Sequence, residues 1–134
     1  MTMPEMAPQH TRLLRPLCDR IGRESVDRVV AAFYERLRAD AQLAPFFAHI
    51  RDFPTHERVI ADFWWIAMGG KVQNPAPVDM LGLHRPMGLR QADLDRWLAL
   101  FGEVLAAELE PEPARQWLTM ARGIGGRLSR AALE

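Results

Sequence analysis

A chain of 134 residues is long enough for one domain with a single core and a pocket for one medium-sized ligand. Hydrophobic residues make up 49% and charged residues 25%, as in an ordinary globular protein. Seventeen basic and seventeen acidic side chains cancel, which argues against a nucleic-acid binder or a protein held on an anionic membrane. A lone cysteine, Cys18, leaves no internal disulfide and no thiolate metal cage, and is expected as a buried thiol. Glu5 and other polar residues stand where a secretion signal needs an apolar stretch. The longest apolar run, Phe63 to Gly70, falls far short of the roughly 20 residues that span a bilayer. A cytoplasmic protein without a membrane partner is the expectation.

In chain order, residues 1–8 hold two prolines and no periodicity, which predicts a loose arm before a single domain over 9–134. Residues 9–21 suggest a short helix with Leu13, Leu14 and Leu17 apolar, interrupted by Pro16. Val26, Val29, Val30, Phe33 and Leu37 then recur at helical spacing, with Ser25 as a cap and Tyr34 at the edge of the apolar face. A short turn through Leu43, Pro45, Phe46 and Phe47 follows. Asp52 and Thr55 offer helix-starting oxygens around Pro54. From there His56, Ile60, Phe63, Trp64 and Ala67 share a face that ends at Gly69 and Gly70.

Residues 71–77 carry two prolines and no helical period, so a loop is expected there, followed by a brief apolar turn from Val78 to His84. Leu94, Trp97, Leu98, Phe101, Leu105 and Leu109 mark a strong amphipathic helix. Pro111 and Pro113 open a last helix with Trp117, Leu118, Ala121, Ile124 and Leu128 inward. No strand-like alternation competes with this pattern. The fold class is all-α, with five main helices and an extended loop in the second half.

Little of the chain suggests chemistry taken residue by residue. His10, His49, His56 and His84 form no HExxH arrangement, and no GxSxG, P-loop or GxGxxG sequence occurs. The carboxylates fall mainly on faces assigned to solvent. What stands out is a set of polar-tipped residues on apolar faces: Tyr34, His56, Trp64, His84 and Trp97. Singly, each reads as a core residue whose polar tip finds a partner. Together, on three successive helices and a connecting turn, they also fit the lining of a cofactor cavity.

Their order and spacing resemble the truncated haemoglobins, most of all the third group of that family. Phe33-Tyr34-Glu35-Arg36-Leu37 is similar to the family's Phe-Tyr motif, whose tyrosine faces the bound ligand. Leu43-Ala44-Pro45-Phe46-Phe47 resembles the stretch bearing the haem-stacking phenylalanine, which falls on Phe47, thirteen positions after Tyr34. His56-Glu57-Arg58-Val59-Ile60-Ala61-Asp62-Phe63-Trp64 is similar to the group's distal-histidine helix. His84-Arg85-Pro86-Met87-Gly88-Leu89 resembles the proximal-histidine segment, and Trp97, thirteen positions later, matches the distal tryptophan. The resemblance covers roughly residues 22–130. The segment between Phe47 and His56 is shorter than the family's, and Lys71-Val72-Gln73-Asn74-Pro75 stands where many members carry Tyr-x-Gly-x-Pro.

The resemblance implies a truncated globin fold enclosing haem, with His84 as the iron ligand through a neutral imidazole. It implies dioxygen or another small diatomic molecule as the partner, with possible redox or peroxidatic chemistry and an unidentified reductase. Tyr34, His56 and Trp97 become the donors that stabilise the ligand, while Phe47, Ile60, Phe63 and Trp64 contact the ring. The resemblance names no partners for the haem propionates; Lys71, Arg85 and Arg90 are only nearby basic residues. A second class stays open: a haem-free helical module that binds a partner or an apolar ligand in a globin-like cavity.

Overall fold

The computed structural model describes residues 15–76 and 88–132, with side chains described as far as Arg127. The expected arm at 1–8, the apolar turn from Val78 to His84 and the inward placing of Leu128 lie outside the described residues. Among the described residues there is no strand. Five helices among the described residues carry the fold: α1 Leu17–Ile21, α2 Arg23–Ala39, α3 Phe53–Ala67, α4 Gln91–Glu108 and α5 Pro111–Ala132. A 3-10 turn at Ala44–Phe47 sits between α2 and α3.

The first part of the helix expected over 9–21 lies outside the described residues, and the part seen begins only after Pro16, whose backbone is extended at ψ 151°. Proline fits at such a helix start because it has no N–H to leave unpaired. The corner between α1 and α2 is made by Gly22, at φ 87°, which both ends one helix and starts the next. A side chain is strained in that backbone conformation, so glycine suits the position. Ser25 is therefore not the cap; its hydroxyl accepts from Arg28 instead. Asp52 does cap α3 as expected, accepting from the Thr55 N–H at 3.2 Å and the Thr55 hydroxyl at 2.7 Å.

The amphipathic faces pack as their periods require. α2 lies against both α3 and α4, and α4 pairs along its length with α5. Val26, Val29, Phe33 and Leu37 of α2 meet Leu100, Phe101 and Leu105 of α4 and Trp117 of α5 in one core. Cys18 is buried there as expected. Ala67 departs from expectation: it is exposed, because the last turn of α3 runs past the core edge, and Met68 turns inward in its place. The Met68 carbonyl accepts from the Cys18 N–H at 3.3 Å, and Gly69 (φ 102°) passes so near Pro16 that a Cβ would sit 2.8 Å from it. The end of α3 is thereby pinned to the start of α1.

Candidate functional site

An apolar cavity of about 170 Å³ opens between α3, the 3-10 turn and the starts of α4 and the last turns of α5. Each wall follows from a local sequence rule. On α3 the spacing of His56, Ile60, Phe63 and Trp64 turns all four toward the cavity, as the helical period requires. Tyr34 reaches it from α2, and Phe46 and Phe47 from the 3-10 turn, where Pro45 sets the first turn. Leu94 and Trp97 enter from α4, and Ile124 and Gly125 from α5. Of the residues singled out from sequence, Tyr34, Phe47, His56, Ile60, Phe63, Trp64 and Trp97 thus share one space. His84 lies outside the described residues.

The polar centre of the cavity is a direct contact. The Tyr34 hydroxyl and His56 Nε2 are 2.9 Å apart, with the rings edge to face at 5.2 Å. Tyr34 is only 7% exposed, so its O–H needs an acceptor in the protein. His56 Nε2 serves as that acceptor in the tautomer that carries the imidazole proton on Nδ1. Burial holds the His56 pKa below the ordinary value, and the nearby charge of His49 adds to this, so the ring is neutral at pH 7. Burial, with Glu57 nearby, pushes the Tyr34 phenol up, so it stays protonated and available as a donor. The Glu57 carboxyl is itself raised by burial against the pull of Arg38. The Arg38 guanidinium in turn lies 4.1 Å from the Phe53 ring centroid, over the outer side of the cluster.

Trp97 is held by packing. Its ring meets Phe33 edge-on at 5.2 Å and Phe101 at 5.3 Å. Trp64 stacks on Phe101 at 5.8 Å from the other side. Aromatic contacts therefore run without a break from the cavity wall to Trp117, which is fully buried.

Sequence reasoning missed two polar residues of the lining. His49 is exposed at the rim, in an irregular stretch where no period could have marked it. Asp93 is 1% exposed, whereas the carboxylates were assigned to solvent. Its signal was present: an acid three residues into α4, just before an apolar run, has the position of a capping-box partner. Asp93 accepts from the Arg90 N–H at 2.9 Å and from Gln42 Nε2 at 2.9 Å, tying the start of α4 to the chain just after α2.

Those bonds, with Gln42 the largest influence, hold the Asp93 carboxyl below the usual range. A depressed carboxyl stabilises the fold above its unfolded pKa of about 3.9, and this is lost as pH falls through the folded value. Asp93→Asn should therefore lower the urea midpoint at pH 7 and converge on the wild type in strong acid. Equal loss at both pH values would show that the charge is immaterial.

The comparisons with known proteins agree with this architecture. A profile of the family described as "Bacterial-like globin" matches residues 16–122. No curated protein sequence matches the chain. Among solved structures, the group III truncated haemoglobin from Campylobacter jejuni is 25% identical, with a TM-score of 0.77 over 84% of this chain and 91% of that one. The truncated oxygen-avid haemoglobin from Bacillus subtilis is 21% identical, with a TM-score of 0.74 over 85% and 98%. The 2/2 haemoglobin from Synechococcus sp. PCC 7002, solved with covalently attached haem, is 22% identical, with a TM-score of 0.71 over 81% and 91%. With four-fifths of its length matched by the family profile and its helices superposing on these structures, the chain belongs to the bacterial-like globin family and has the truncated-haemoglobin fold.

Proposed function

We propose that this globin holds haem in the cavity described above and binds dioxygen or a similar diatomic molecule beside Tyr34 and Trp97. The observation that carries this reading is the pairing of an apolar, aromatic slot with one buried hydroxyl donor, Tyr34, bonded to His56. Flat apolar walls suit a porphyrin face, and the few convergent polar tips suit a small polar ligand. The cavity is smaller than the roughly 300–1,000 Å³ of drug-sized sites. Phe46, Phe47 and Ile50 at its rim are only partly buried.

Haem, when bound, would supply an iron able to take a neutral imidazole and a diatomic ligand. His84 is the proposed ligand; it stands five residues before Leu89, and Leu89 lines the cavity. Phe47, Ile60, Phe63 and Trp64 would exclude water and contact the ring. Tyr34 and the Trp97 N–H would donate to the diatomic ligand, whose partial negative charge makes such bonds stronger than neutral ones. Tyr34 has one proton to give, so His56 must release it or swing aside for a ligand to receive it. Asp93 positions the start of α4 and hence Leu94 and Trp97. Redox or peroxidatic chemistry and a reductase partner belong to the same proposal as further possibilities of a haem site.

The purified protein, supplied with haemin, should be red with an intense absorption band at the blue edge of the visible. A chain that stays colourless and takes up no haemin would instead favour a haem-free helical module with an apolar ligand.

A further inference from the structure

We infer that Tyr34 and His56 form a proton-coupled redox pair, in which Tyr34 gives one electron to an outer-sphere one-electron oxidant, such as a ruthenium(III) polypyridine complex, while its phenol proton passes to His56 Nε2. The geometry is that of a prepared proton transfer. Donor and acceptor are 2.9 Å apart, and Tyr34 is the only tyrosine in the chain. Its ring is 7% exposed and ringed by Phe47 at 5.6 Å, Phe53 at 6.2 Å and Phe33 at 6.4 Å.

The acceptor decides where oxidation settles. A phenol that loses an electron and keeps its proton leaves a positive charge in an apolar surrounding, which is costly. With His56 in place the O–H bond breaks and an Nε2–H bond forms, and the electron goes to the oxidant. A neutral tyrosyl and an imidazolium remain. A one-electron donor from solution reverses the step, the proton returning to the phenolate oxygen. Trp117 offers the contrast. It is fully buried, and its Nε1 has no hydrogen-bond partner among the described residues. Among the described residues an oxidised Trp117 has no partner to take its proton, so the aromatic contacts that join it to the cavity do not favour it as a resting place for the hole.

The groups around the acceptor support this direction. The charge of His49 acts on His56 from the rim, Tyr34 meets it from α2, and Glu57, which feels the Arg38 charge, follows it on α3. Burial and the charge of His49 keep the imidazole neutral at pH 7, which is the form able to accept.

The test uses the full chain without haem, so its outcome does not depend on the cofactor assignment. Photogenerated ruthenium(III) tris-bipyridine serves as the oxidant, and electron paramagnetic resonance identifies the radical. The wild type should give a tyrosyl signal that forms more slowly in heavy water and weakens in acid as His56 becomes protonated. His56→Gln keeps a hydrogen-bond acceptor but removes the base, and should slow tyrosyl formation by about a hundredfold, the scale of a positioned proton acceptor. Should that variant fail to fold, the heavy-water comparison on the wild type decides alone. A tryptophanyl signal in the wild type, an unchanged rate in His56→Gln, or a rate indifferent to heavy water would each overturn the pair.

Discussion

His84→Ala should abolish stable haem binding and leave a helical chain. Of the four histidines, His10 and His84 lie outside the described residues. His56 is committed to Tyr34 at 2.9 Å, and His49 is an exposed residue on the rim beside it. Both belong to the part of the cavity proposed for the diatomic ligand. Removing even an outer-shell partner of a metal-bound histidine costs about 10- to 100-fold in metal affinity or activity, and losing the ligand itself should exceed that. Among the described residues, Val26, Phe101 and Trp117 of α2, α4 and α5 share one buried core, so helix content is expected to survive the substitution. Haemin titration of the variant, read through the ferrous spectrum and circular dichroism, checks both halves. A wild-type ferrous spectrum would remove His84 from the assignment.

Dioxygen should leave Tyr34→Phe and Trp97→Phe faster than the wild type by about ten- to a hundredfold. Each substitution removes one donor and keeps most of the ring volume. A hydrogen bond to a charged acceptor contributes about 1.5–3 kcal/mol, and each 1.4 kcal/mol is a factor of ten in an equilibrium constant. The two donors differ in how they are held. Trp97 is fixed by Phe33 and Phe101, so its loss should act at full strength. Tyr34 shares its proton with His56, so His56→Leu should leave the phenol wholly to the ligand and change release little, or slow it. Stopped-flow dissociation rates for the three variants decide the order. If His56→Leu speeds release sharply while the other two barely alter it, the histidine governs the ligand and the ranking of donors is reversed.

Much of this architecture is carried by local rules. The start of α3 could be read from Asp52, Pro54 and Thr55 because a cap is a contact between near neighbours in the chain. The cavity faces of α3 and α4 could be read because a helix presents every third or fourth residue on one side, whatever lies opposite. Tyr34, Phe47, His56 and Trp97 are recognisable by their order and spacing, which is also why the globin resemblance was visible before any coordinates.

Other features exist only where elements meet. Nothing in the spacing of Tyr34 and His56, twenty-two positions apart, says that the hydroxyl and Nε2 touch; that depends on how α2 and α3 cross and slide. Ser25 looked like a cap, but the corner was made by Gly22, since one left-handed residue there serves two helices at once. Asp93 looked solvated, but Gln42, fifty-one positions away, reaches it and makes its burial tolerable. His49 lines the rim although no period marks it. Helical periodicity and the Asp52 cap, being local, were determined by the sequence alone. Which polar groups pair across the core was decided by tertiary packing, because it depends on the relative offset of helices that no local pattern encodes.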